Sequence, residues 1–131
     1  MSRSEKYFAK DRRQYKRYHA MEGIYVIFGK YSSKLGRLVN ISRGGVCVRY
    51  NDNRKRSNGS FNLSILISDD NGNSKEYIFY AKTVADYEVF KGTRFIFPER
   101  ECHIEFSNLM AHQIEEIEEI REVCKDVNKM R

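Results

Sequence analysis

The sequence predicts a mainly β fold, a small antiparallel barrel of six or seven strands followed by one C-terminal α-helix. Three observations lead there. Short runs rich in β-branched and aromatic residues recur between clusters of Gly, Asn, Asp and Ser, which punctuate strands. Phe61, Leu63, Ile65 and Ile67 alternate with Asn62, Ser64 and Ser68, the period of two that a half-buried strand requires. Beyond Asn108 the apolar spacing lengthens to three to five residues, which belongs to a helix. So many short strands leave many edges, and closure into a barrel removes them.

In chain order, residues 1–20 hold 7 Lys/Arg, 2 Asp/Glu and few aliphatic side chains, so they read as a basic N-terminal arm unable to bury much surface alone. The barrel is expected over residues 21–131. Ile24–Phe28, bracketed by Gly23 and Gly29, is its first strand. Lys34–Ile41 and Gly45–Tyr50 follow, joined by a turn over Ser42–Gly45. Asn51–Ser60 contains no apolar residue and is a loop. After the strand at Phe61–Ile67, Asn71 and Gly72 favour a tight hairpin into the long run Ser74–Val89. Lys91 and Gly92 break that run before a strand at Thr93–Phe97. Pro98 then bends the sheet, and Cys102–Phe106 resumes it. The stripe Leu109, Ile114, Ile117, Ile120, Cys124 and Val127 gives a helix over about 108–128, packed on its own sheet.

Composition narrows the function classes. The chain has 131 residues, 40% hydrophobic and 32% charged, with no apolar run near the length of a membrane span. Residues 1–60 carry 15 Lys/Arg against 4 Asp/Glu and residues 61–131 carry 9 against 14, which together give +6. A basic front half suits an anionic partner, or else is a solvated face. Cys47, Cys102 and Cys124 have no paired spacing, so a zinc or thioredoxin-type site is not expected and each thiol reads as a small apolar side chain. Unpaired thiols and a charged N-terminal stretch point to the cytoplasm. No catalytic triad, metal cluster, phosphate loop or carboxylate pair is recognisable, so no enzyme, cofactor or metal is expected.

Two clusters carry chemistry. Arg12, Arg13 and Arg17 precede the first strand, and Asn40, Ser42 and Gly45 lie around the turn between the next two. Arginine bonds guanine O6 and N7 bidentately, stacks on bases and pairs with phosphate. Asn40 can accept from a ring N–H, and Ser42 can donate to phosphate or ribose. Gly45 allows close backbone approach or a positive φ. Taken separately, the clusters read better as a solvated basic tail and a serine turn than as a binding site.

Taken together they resemble the PilZ domain, a family of bacterial cyclic di-GMP receptors whose signature is R-x-x-x-R followed by [D/N]-x-S-x-x-G. Arg13 and Arg17 fill the first motif with Arg12 in front; Asn40, Ser42 and Gly45 fill the second. The ending Glu101–Asn108 before a helix also looks like the family's last strand and helix, so the resemblance spans about residues 11–125. It implies a PilZ-like split barrel that binds cyclic di-GMP through Arg12, Arg13, Arg17, Asn40, Ser42 and Gly45. Arg43 and Gly44 are secondary candidates, as are Arg49 and Arg94 for base stacking. Asn40 replaces the commoner Asp and cannot offer a carboxylate's paired acceptors to guanine, which lowers the expected affinity. Arg12 implies a stacked pair of ligands, since the family residue at this place is associated with stoichiometry.

The function implied is a single-domain receptor or adaptor without a fused output domain. It orders its arm on ligand binding and signals to a partner protein in motility, adhesion or biofilm control. The alternatives are a PilZ-like protein adaptor that does not bind the nucleotide, and a small-barrel nucleic-acid binder. The last is disfavoured because the tyrosines and phenylalanines mostly fall at core positions.

Overall fold

The computed structural model describes residues 18–19, 23–28, 35–52, 59–68, 71–94 and 96–126. Among them the strands are β1 (Tyr18–His19), β2 (Ile24–Phe28), β3 (Leu35–Ile41), β4 (Gly45–Asn51), β5 (Ser60–Ser68), β6 (Ser74–Phe90), β7 (Glu99–Phe106) and β8 (Lys125–Asp126), with helix α1 at Ala111–Glu122. All the pairings are antiparallel. The order β2–β5–β6–β7–β4–β3 closes through β2–β3 into a six-stranded barrel, as the sequence predicts.

Alternation of side chains sets the core. Val26 and Phe28 of β2, Leu63 and Ile65 of β5, and Tyr77, Phe79 and Ala81 of β6 point inward with Val46, Val48 and Tyr50 of β4 and Cys102 and Ile104 of β7. Ile117 and Ile120 of α1 complete this core, and burial of each contributes about 1.5–3 kcal/mol. The opposite phase of β6 and its flanks leaves Ile78, Tyr80, Val84, Tyr87, Phe90, Ile96 and Phe97 exposed. Tyr25 is exposed as well, so the aromatic side chains divide between core and surface and do not mostly fill the core.

Two sequence expectations change. Thr93–Phe97 is not a strand, since its described residues close a loop on themselves: Thr93 N–H donates to Ile96 O (2.9 Å) and Ile96 N–H to Thr93 Oγ1 (3.2 Å). Gly92, at φ 81°, turns the chain into this loop, and β7 starts at Glu99, three residues before the expected Cys102. The helix is also shorter than 108–128. Asn108 takes a left-handed φ of 52°, which ends extended chain without starting a helix, and Met110 N–H is capped by Gln113 Oε1 at 2.9 Å. After the helix, Lys125–Asp126 pairs with β1 as a strand.

Strand β3 positions the second motif. One of its edges lies along β4; the other is shared, Leu35–Arg37 pairing with β2 and Asn40–Ile41 with β1. Opposite β4, the register passes from Leu38↔Val48 to Asn40↔Cys47, leaving Val39 as a bulge. That extra residue changes the phase of the strand. Leu38 and Ile41, three apart, both enter the core, and Asn40 does not.

Candidate functional site

The turn between β3 and β4 is held on several sides. Ser42 N–H donates to Gly45 O (2.9 Å), and Gly44 N–H donates to Ser42 Oγ (3.1 Å). The serine turn is therefore real, and it leaves the hydroxyl proton of Ser42 as a donor. Gly44 O accepts from Phe106 N–H of β7 at 3.0 Å. Arg43 Nε donates to Glu118 Oε2 of α1 at 3.1 Å, and Glu118 also pairs with Arg121. Backbone, neighbouring strand and helix thus fix the loop before any ligand arrives.

Gly45 has a different reason from the ones read in the sequence. Its φ is not positive, and what approaches it closely is protein: a Cβ built there would lie 2.0 Å from Ile104 O and 3.0 Å from Glu105 Cα. The glycine lets β4 start directly against β7.

The structure brings Asn40, Ser42, Arg43, Gly44 and Gly45 together around this turn. Arg12, Arg13 and Arg17 lie outside the described residues. The chain that follows them is placed, however, because β1 runs beside β3 with His19 opposite Asn40 and Tyr18 opposite Ile41. Arg94 sits in the β6–β7 loop and Arg49 on β4, so the structure does not gather these two stacking candidates at the turn. Arg49 is engaged by Glu101 (3.0 Å) and Glu99 (3.8 Å), and Arg37 by Glu99 (2.9 Å).

Beside Asn40 lies a polar cluster that the sequence analysis missed. Cys47, opposite Asn40, also faces His103 of β7, while Arg49 faces Glu101 and Tyr87 of β6 faces Glu101 from the other side. His103 Nε2 is 2.9 Å from Glu101 Oε2, 3.8 Å from Cys47 Sγ and 3.1 Å from the Tyr87 hydroxyl, which is itself 2.6 Å from Glu101 Oε2. Burial alone would raise the Glu101 carboxyl, but hydrogen bonds from Tyr87, His103 and Arg49 outweigh it and hold it at about 2. Burial, then the bond to Glu101, pushes the Tyr87 hydroxyl up to about 12. The available signal was the pair Glu101-x-His103, two residues apart and so on one strand face. The adjacent Cys102 points into the core.

Among the described residues, no helix is long and apolar enough to cross a membrane. No curated protein sequence matches the chain. Several solved structures share its fold. The PilZ domain of YcgR from Escherichia coli with cyclic di-GMP is 19% identical, at a TM-score of 0.62 over 85% of this chain and 89% of that one. The Bacillus subtilis inhibitor of motility, MotI, is 21% identical at a TM-score of 0.64, over 85% of this chain and 49% of that one. YcgR of Escherichia coli in complex with cyclic di-GMP is 18% identical at 0.54, over 83% and 44%. The chain thus spans about half or less of the last two proteins. The sequence pattern of the PilZ domain matches residues 11–122, a stretch that holds both motifs, the barrel strands and α1. With that pattern running through the same strands and turn that build the site, the chain belongs to the PilZ domain family.

Proposed function

We propose that this chain is a cyclic di-GMP receptor, taking the nucleotide between Arg12, Arg13 and Arg17 and the Asn40–Gly45 turn. The observation that carries this reading is the register of β1 on β3: Tyr18 and His19, which directly follow Arg17 in the chain, pair with Ile41 and Asn40. The first motif ends one residue before a strand that pairs with the second, which supports a shared site. Electrostatics favours the same choice of cations, because Arg37, Arg43, Arg49, Arg100 and Arg121 already pair with carboxylates. A ligand with two phosphodiester groups then calls on the arm, where two motif arginines and Arg12 meet it with phosphate and guanine contacts. The solved YcgR structures with cyclic di-GMP support the ligand class, and the likeness to an inhibitor of motility supports an output through a partner protein. We read the protein as a cytoplasmic non-enzymatic receptor.

Calorimetric titration with cyclic di-GMP tests this, with GTP and a short RNA as controls. Arg13→Ala and Arg17→Ala are each expected to lose about 1–3 kcal/mol of binding, roughly 5- to 150-fold, and Lys55→Ala much less. Saturation is expected at two ligands per chain, falling to one in Arg12→Leu. Equal binding by both arginine variants and the parent, or a parent that prefers RNA, overturns the proposal.

Signalling follows from ordering of the arm ahead of β1, and from firmer pairing of β1 itself, over a turn that needs no rearrangement. Differential affinity for the ordered arm makes the ligand a switch. Amide exchange is expected to slow on ligand addition at residues 8–19 and 40–46. It should also slow at Lys125–Asp126, because β8 pairs with β1. Helix residues 114–122 should change little. An arm equally protected with and without nucleotide is the contrary result.

A further inference from the structure

We propose that Cys47, Glu101 and His103 form a zinc site on the outer face of the β4–β7 pair. Strand geometry assembles it: Glu101 and His103 are two apart on β7 and share a face, and the register sets Cys47 of β4 directly opposite His103. The thiol, one carboxylate oxygen and one ring nitrogen all lie within 4.8 Å of one another. Cys47 Sγ is 3.8 Å from His103 Nε2, close to the roughly 3.5 Å edge that Zn–S and Zn–N bonds of ordinary length give a tetrahedron.

The alternative for a thiol, an imidazole and a carboxylate is a nucleophile relay, and the geometry excludes it. A relay needs the carboxylate on one ring nitrogen and the thiol on the other. Here Glu101 Oε2 and Cys47 Sγ both approach Nε2. Three donors converging on one point is the arrangement of ligands around a cation. Sulfur, nitrogen and oxygen donors together suit zinc, and three protein ligands leave a fourth position for water.

The surroundings are built for the same purpose. Arg49 Nε holds Glu101 Oε1 at 3.0 Å, which turns Oε2 toward His103 and Cys47. Tyr87 donates to Oε2 and fixes the carboxylate from the β6 side. Cys47 is 4% exposed, a dry floor, while the His103 side chain at 32% keeps the site open to entry. On binding, the ion replaces the thiol proton, which leaves to solvent, and takes Nε2 of the neutral ring, whose one proton then sits on Nδ1. The thiolate and carboxylate then balance its two positive charges. This site does not depend on the nucleotide reading.

The test is titration of the metal-stripped full chain with Co²⁺, followed by displacement with Zn²⁺. One equivalent of Co²⁺ should give tetrahedral d–d bands and a sulfur-to-cobalt charge-transfer band, both bleached by Zn²⁺. Cys47→Ser should lose the charge-transfer band and His103→Gln should lose stoichiometric binding, while Cys124→Ser and His112→Gln keep both. If a variant fails to fold by circular dichroism, the parent and the Cys124→Ser control decide. A parent without the sulfur band, a band that survives in folded Cys47→Ser, or a band lost in folded Cys124→Ser overturns the proposal.

Discussion

Asp86→Ala is expected to lower the unfolding free energy by about 3–5 kcal/mol, read as a shift of the denaturant midpoint at constant slope. The Asp86 side chain is 1% exposed and that of its partner Arg100 11%, with Arg100 Nε donating to Oδ1 at 2.8 Å. Arg100 Nη2 also donates to the Asp86 carbonyl at 3.4 Å, and the Tyr50 hydroxyl donates to Oδ2. Burial, then the bond to Asp86, raises Tyr50 above the ordinary phenol range, so it remains a donor at neutral pH. Removing the carboxylate strands a buried guanidinium and a buried hydroxyl where β4, β6 and β7 meet. Against a total of about 5–15 kcal/mol the remaining protein is marginal. Asp86→Leu combined with Arg100→Met should recover much of the loss, because no charge is then left unpaired. A single variant within about 1 kcal/mol of the parent would show that the pair is dispensable.

The second large effect is expected at Gly45. Alanine there places a methyl group 2.0 Å from Ile104 O, and backbone cannot swing aside as a long side chain can. The start of β4 must retreat from β7, disrupting the Phe106 N–H to Gly44 O bond. We expect about 3 kcal/mol of destabilisation, the upper end of ordinary overpacking. Nucleotide affinity should fall with it even in the folded fraction, since the turn is displaced. An alanine variant with the parent's melting temperature but weaker binding would mean that the ligand, and not the strand, requires the glycine.

These two sites show what the sequence made legible. Alternation in Phe61–Ile67, the hairpin at Asn71–Gly72 and the helical spacing after Asn108 are local signals, and the structure follows them. Gly45 is legible as a motif position, but its reason lies in β7, 60 positions away, and no local pattern carries that contact. Thr93–Phe97 has the residue types of a strand and becomes a loop because its hydrogen bonds close within itself. Asn40 stays out of the core because of the bulge at Val39, which shows only in the pairing with β4. The cluster of Cys47, Glu101 and His103 joins two strands distant in sequence, and a search by spacing along one strand passes over it.

The register of β4 on β7 also sets the order of events during folding. The β5–β6 hairpin closes over a few residues, from Ser68↔Ser74 outward, and such hairpins form in about 1–10 μs. Gly45↔Glu105 must instead bring together residues 60 positions apart, and barrels dominated by such long-range pairings fold in roughly milliseconds to seconds. The Ser42–Gly45 turn reaches its final form only when Phe106 of β7 arrives to bond Gly44. A newly made chain therefore gains hairpin structure well before the Ser42–Gly45 turn is complete, and the proposed nucleotide site matures only once β7 has docked.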